Sequence, residues 1–372
     1  MKHHPNPNPG FAACLIVLDD TIRLLEWIAY HYTVLPLTSL VIVLDPNTSN
    51  SSIAELNSMV LRWADFGLII SIWHSFPRFY NYSVWPKTSS EYGNRQRRML
   101  SSCTHHFLDR AKEKYLILTD TDEFLSFNFI LPDEDISHFN RNSIFSLGAK
   151  DTPSIGKRAR DRLEAWPIRA IAGRNPNQTI LSFIESQQEL QQTYFPAQSG
   201  CTRIVGLAYG TNTTDDLEDE PLMTKKYQHR QKYPHDKFSK VMLELPKISE
   251  SRDELNHIES IHNPFPKLCG MNGKHSSGQD FSGSVLKVAH YVGTIEGWLE
   301  RGGGKGSHLY RQDRKSWEDK NTQFGPYTEE LDLYMGAWVD FFIAKVGIHS
   351  ADELLYKPIR QRIRVIRDVF ML

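Results

Sequence analysis

The feature that most constrains the fold is a regular alternation in the first 125 residues. Four short apolar runs, over residues 12–18, 40–44, 68–73 and from 114 to Asp120, are each closed by polar or acidic residues. Continuous apolar runs of this length mark strands that are covered on both faces. Helical spacing fills the gaps between them. Thr21 offers a cap to a helix in which Leu24, Leu25, Ile28, Tyr32 and Leu35 recur, and Ser49 to Ser52 precede a second helix over 53–63. A third, over 92–112, carries Met99, Cys103, Phe107 and Ala111 on one stripe. Strands alternating with helices predict an α/β chain built on a mainly parallel sheet with right-handed crossovers.

In such sheets ligands bind beyond the carboxyl ends of the strands. Here those ends carry Asp19 and Asp20, Asp45 and Asn47, His74 and Ser75, then Asp120 and Asp122, which are expected on one rim. The fourth run is the most informative, because it stops in Asp120-Thr121-Asp122-Glu123. Two carboxylates one residue apart at a strand end can grip one hard divalent cation or its waters. Asp122 is the best direct ligand, and Glu123 can either orient its neighbours or bind. The same pattern also serves as a solvated strand end. Asp19 and Asp45 suit the base and ribose of a nucleotide, and equally an Asx-turn. No glycine-rich dinucleotide fingerprint follows the first strand and no phosphate-binding Gly-x-x-x-x-Gly-Lys loop occurs, so metal and side chains must meet any diphosphate.

Composition narrows the partners. With 372 residues, 40% hydrophobic and 23% charged, the chain has ample material for a large core. A formal net charge of −1 gives no bulk attraction to nucleic acid, which is not an expected partner. No apolar run reaches membrane-spanning length, and the Pro- and Asn-rich start lacks the apolar core of a signal peptide. Cys14, Cys103, Cys201 and Cys269 show neither zinc spacing nor a dense disulfide framework, which leaves the redox compartment open. Glycosylation triplets occur at Asn47, Asn50, Asn81, Asn177 and Asn212, a pattern that also arises by chance.

Several motifs together carry a family resemblance. Ala13-Cys-Leu-Ile-Val-Leu-Asp-Asp20, Leu25-Glu-Trp-Ile-Ala-Tyr-His-Tyr32 and Val41-Ile-Val-Leu-Asp-Pro-Asn-Thr-Ser49 resemble the opening of family 92 and related family 2-like glycosyltransferases. Leu118-Thr-Asp-Thr-Asp-Glu-Phe-Leu125 is similar to their Asp-x-Asp-Glu-Phe motif, and weaker similarity touches Arg203, Tyr209-Gly-Thr211, Lys240, His262 and His290-Tyr291. The resemblance implies a GT-A-type, Rossmann-like fold: a mixed, mainly parallel sheet flanked by helices over 11–300, with a nucleotide-sugar half (11–125) and an acceptor half (126–300). A glycine-rich loop and a C-terminal helical appendage would occupy 301–372. It further implies a nucleotide-sugar donor, a UDP-sugar first of all, a glycan or glycoconjugate acceptor, and Mn²⁺ or Mg²⁺ bridging the acids to the diphosphate. Asp120 would then lie near the ribose or a metal-bound water, His290 would complete the metal shell, and Lys240 would face the donor. Members of this kind act in the Golgi or elsewhere in the secretory pathway behind a membrane anchor; none is visible in this sequence, so the expectation is either a soluble chain or one that associates with a membrane through an N-terminal anchor outside this sequence.

Other residues are read on their own chemistry. Arg95, Arg97 and Arg98 open the third helix, where cations oppose the helix dipole, and Arg97 is placed to reach the phosphates. The basic loop from Arg301 to His308, with Lys305, suits either a lid over the diphosphate or a plain linker. Trp298, Trp317 and Trp338 suit the core or a sugar-stacking surface. An inverting reaction needs a carboxylate to deprotonate the acceptor, and Glu185, Asp215, Asp216, Glu218 and Asp219 are available. Two other classes compete. A haloacid-dehalogenase-like phosphatase shares an apolar run ending in Asp-x-Asp but does not continue with Phe124. A carbohydrate-binding protein on the same scaffold would keep the cleft and transfer nothing.

Overall fold

The apolar runs become strands because each is buried from both sides. In the computed structural model, β1 (Phe11–Val17) pairs in parallel with β2 (Leu37–Leu44) and β4 (Tyr115–Leu118), and β2 pairs in parallel with β3 (Ile69–Trp73). Ala13, Leu15 and Val17 pack into one core with α1 (Thr21–Val34) and α2 (Asn50–Ala64). Ala12 and Cys14 point the other way, into a second core with Met99, Cys103 and Phe107 of α3 (Ser89–Arg110). Period-two alternation across a sheet with two covered faces requires an unbroken apolar strand.

The structure describes residues 10–45, 48–74, 89–110, 112–127, 179–186, 200–204, 206–210, 220–231, 239–256, 258, 264–265, 267–269, 286–291, 293–300, 314–323, 327–331 and 334–370. Beyond β4 these comprise β5 (Glu123–Phe127), α4 (Ile180–Ser186), β6 (Cys201–Ile204), β7 (Gly206–Gly210), α5 (Met223–Lys226), β8 (His229–Gln231), β9 (Lys240–Glu244), α6 (Leu245–Ile248), β10 (Leu286–Tyr291), α7 (Ile295–Glu300), α8 (Arg314–Gln323), β11 (Tyr327–Leu331), α9 (Tyr334–Val346), α10 (Ile348–Ala351) and α11 (Lys357–Phe370). The first sheet runs β3-β2-β1-β4-β9-β6, with β9 antiparallel to both its neighbours. The chain is thus α/β, with a mixed, mainly parallel sheet flanked by helices. A second sheet runs β11-β8-β7-β10-β5, and its only parallel pair among the described residues is β7 with β10. Between Leu118 and Glu123 the backbone leaves the first sheet and enters the second. The acid motif is that crossing.

Three expectations are corrected, and a question the cysteine spacing left open is resolved. Thr21 does not cap α1: Asp20 holds the cap position, and the Thr21 hydroxyl donates to Glu300 Oε1 at 2.5 Å. The second helix begins at Asn50, where Ser49 accepts from the Ser52 amide. The C-terminal helices are no appendage, because Trp338, Phe342, Leu355, Ile359 and Ile366 share the core of α1 and α2. Arg362 and Arg367 reach Glu300 and Glu296 of α7 at 2.7 and 2.8 Å, and residues 327–331 form a strand of the second sheet. Finally, the scattered cysteines pair, Cys14 with Cys103 and Cys201 with Cys269. Separations of 89 and 68 residues hide the pairing from any spacing rule.

The Cys14–Cys103 bond staples β1 to α3 across the second core. Replacing both cysteines with alanine is expected to lower stability by about 4 kcal/mol, because a long closed loop is released in the unfolded chain. The midpoint of guanidinium unfolding measures this, and an unchanged midpoint would refute it.

Candidate functional site

The site is assembled around a cation in an unfavourable place. Arg23 lies in the first turn of α1, where positive charge opposes the helix dipole, and is 1% exposed. It is held by carboxylates. Its Nε and Nη2 donate to Asp20 Oδ1 and Oδ2 at 2.7 and 2.9 Å, and Nη1 donates to Asp122 Oδ2 at 2.8 Å. Thr121 also donates to Asp20. Gly293 makes room for the side chain: its φ is +92°, and a Cβ there would come within 3.2 Å of Arg23 Cδ.

A second buried cation closes the other side. Because β9 runs antiparallel to β4, with Leu118 opposite Val241, its first residue, Lys240, falls beside the crossing. Lys240 is 3% exposed, and its Nζ lies 2.6 Å from Asp120 Oδ2 and 3.0 Å from Glu123 Oε2. Burial opposes its charge, but these two acids hold it protonated. Burial pushes Glu123 upward; Lys240 pulls it back while Asp120 and Asp122 add to the rise.

His290 comes from β10, opposite Glu123 in the antiparallel register. Its Nε2 is 3.9 Å from Asp122 Oδ2, and burial lowers its pKa to about 4, so the imidazole is neutral. One ligand atom each from Asp122, Glu123 and His290 lie within 4.8 Å of one another. Two carboxylates and an imidazole at that spacing could hold one divalent cation. Of the expected metal residues, the structure gathers Asp122 and His290 and adds Glu123. Asp120 faces Lys240 instead, with its side chain 34% exposed.

The helix motif of the sequence proves to be a brace for this crossing. Trp27 Nε1 donates to the Glu123 carbonyl at 2.9 Å, and His31 Nε2 accepts from the Leu125 amide at 3.2 Å. His31 Nδ1 bonds the Trp27 carbonyl at 2.8 Å, and burial lowers its pKa to about 3, which keeps the ring in the neutral tautomer that can accept. Tyr30 meets Phe124 edge to face, with centroids 5.1 Å apart. Glu26, wholly buried, accepts from the Met223 and Thr224 amides and the Thr224 hydroxyl at 2.7, 2.9 and 2.7 Å.

The remaining candidates divide. Asp19 and Asp45 lie buried at the ends of β1 and β2, on the rim that carries the crossing. Asp19 takes a left-handed conformation, φ 42°, and accepts from the Ser49 amide and hydroxyl at 2.8 Å each, a turn role. Asp45 pairs with Arg95 at 3.1 Å. Arg97 faces elsewhere, into a cleft of about 940 Å³ lined by Trp73, Arg98, His105, His106 and Asn256. Glu185 sits at the far end of β4, 3.4 Å from Lys114, away from the acids. Asp215, Asp216, Glu218, Asp219 and the loop with Lys305 lie outside the described residues. Trp298, Trp317 and Trp338 are buried in the core. Arg23 and Asp20 were not among the expected site residues. Their one sequence signal is an arginine in the first turn of an otherwise apolar helix, three residues after an acid. No protein-family model and no curated protein matches this chain.

Burial pushes Glu26 up to about 7 against the bonds from Thr224 and Met223. Its folded pKa therefore lies above the unfolded value, so the folded protein keeps a proton that the unfolded chain has released between about pH 4.5 and 7. That contribution is present below the window and lost as pH rises through it. The stability advantage of wild type over Glu26→Gln should shrink by on the order of 3 kcal/mol from pH 4.5 to 8. Urea unfolding of both proteins across that range measures it, and a constant difference would show Glu26 to be ionised in the fold.

Proposed function

We propose that this chain is a glycosyltransferase of GT-A type that moves a sugar from a nucleotide-sugar donor, a UDP-sugar first of all, to a glycan or glycoconjugate acceptor with inversion. The observation that carries this reading is the crossing between the two sheets, which brings Asp122, Glu123 and His290 together on the rim where β1 and β2 also end in acids. A divalent ion held there by Asp122, Glu123 and His290 would supply positive charge for the diphosphate leaving group. The chain's own groups do the rest. Asp122 is kept in one orientation by Arg23, and Trp27 and His31 pin the backbone on either side of Phe124. Asp19 and Asp45 stand where a nucleoside would lie across the ends of β1 and β2. The paired disulfides agree with an oxidising, secretory setting. No helix among the described residues is long and apolar enough to cross a membrane.

The remaining candidates for the acceptor's base, Asp215, Asp216, Glu218 and Asp219, follow β7 in the sequence and lie outside the described residues. β7 ends at Gly210 beside the His290-Tyr291 end of β10, because the two strands run parallel with Ala208 opposite His290. The chain returns at Glu220, which bonds the Leu222 amide just before the α5 turn that Glu26 caps. Asp215, Asp216, Glu218 and Asp219 fall between these two anchors.

Thermal unfolding with UDP-, GDP- and CMP-sugars, each with Mn²⁺ or chelator, tests the reading, because a bound ligand raises the melting temperature by mass action. A metal-dependent rise with one nucleotide class is expected, lost in Asp122→Ala. No rise with any donor, in folded protein, would overturn it. Among Asp215→Asn, Asp216→Asn, Glu218→Gln and Asp219→Asn, one should lose at least about a hundredfold in transfer rate yet keep the donor-induced rise. Equal activity in all four would remove this loop from the chemistry.

A further inference from the structure

We propose that Lys240 is a built-in counter-cation that competes with the divalent ion for Glu123, and so sets how tightly this site binds metal. The inference rests on the metal site described above and adds a role for a side chain that is not one of its ligands. Four carboxyl groups, those of Asp20, Asp120, Asp122 and Glu123, meet two fixed cations, Arg23 and Lys240, which leaves a formal excess of two negative charges.

The two cations differ in what they can do. Arg23 is locked, because its planar fork holds both oxygens of Asp20 while Gly293 packs against its stem. Lys240 carries a point charge on a flexible four-carbon stem and reaches its two acids from a neighbouring strand. One of those acids, Glu123, belongs to the metal-competent set, and the other, Asp120, is open to solvent on one side. An ion bound by Glu123 therefore lies close to the Lys240 ammonium and is repelled by it, unless the ammonium swings toward Asp120. The same ammonium also lies between Asp120 and Glu123 and offsets their mutual repulsion.

Removing the charge should tighten metal binding, whereas a merely structural lysine would loosen it when lost. The test titrates the full chain with Mn²⁺ alone and follows free Mn²⁺ by its electron paramagnetic resonance signal. Lys240→Met and Lys240→Gln, the second retaining a donor for Asp120, should each bind Mn²⁺ at least about tenfold more tightly than wild type. Lys240→Arg should stay near the wild-type value. Adding Asp122→Ala to any of them should abolish binding, which locates the ion. Tight binding in the Lys240 variants with none in wild type is the extreme of the same result. Wild-type binding through Asp122 with no tightening in the neutral variants would overturn this inference and leave the proposed function standing. Absence of Mn²⁺ binding in every protein would overturn both.

Discussion

The buried contact of Arg23 with Asp20 and Asp122 is the constraint on which the rest of the site depends. It joins the start of α1, which packs on the first sheet, to the residue that opens the second. A guanidinium at 1% exposure is tolerated only because oxygens from two acids meet it in place of water. Taking away Asp20, which holds two of the three contacts, would leave most of that buried charge unpaired, a loss of about 3–5 kcal/mol. The contact therefore holds Asp122 in one place.

Around that contact, α1 serves less as a packing helix than as a frame. Four of its side chains, Arg23, Glu26, Trp27 and His31, bond to segments 94 to 198 residues away in the sequence. The bonds of Arg23, Trp27 and His31 satisfy groups at the crossing and in β5, and those of Glu26 satisfy the amides that open α5. The C-terminal helices press on the same frame from outside through Trp338, Phe342 and Leu355, with Arg362 and Arg367 on the buried acids of α7. Glu300 of α7, which Arg362 holds, bonds Thr21 and the Ile22 amide in Arg23's own turn, so the end of the chain is joined to the acid rim.

Much of this was legible because local pattern and burial coincide. Runs such as Leu40–Leu44 had to be two-faced strands, and acids that interrupt such runs had to lie at their ends. The misreadings have equally local causes. Arg97 and Arg95 differ by two positions, which on a helix is more than half a turn, and that rotation alone sends one to Asp45 and the other to a different cleft. Glu185 has suitable chemistry but follows α4 to the opposite end of β4. Leu355, Ile359 and Ile366 recur at helical spacing, but that spacing does not say that the core of α1 and α2 covers them.

The sequence by itself determined the α/β class, the order of the first four strands along the chain and the placing of Asp120, Asp122 and Glu123 where an apolar run ends. These follow from periodicity and polarity over a few residues. Only the tertiary structure decided that Lys240, 120 residues on, would neutralise Asp120, that His290 would face Asp122, and that Cys14 would bond Cys103. Those pairings depend on which strands become neighbours and in which direction they run. β9 lies antiparallel to β4 and β10 antiparallel to β5, and each register carries one distant side chain to the crossing. Sheet neighbours are chosen by how the whole core closes, and no short stretch of residues encodes that choice.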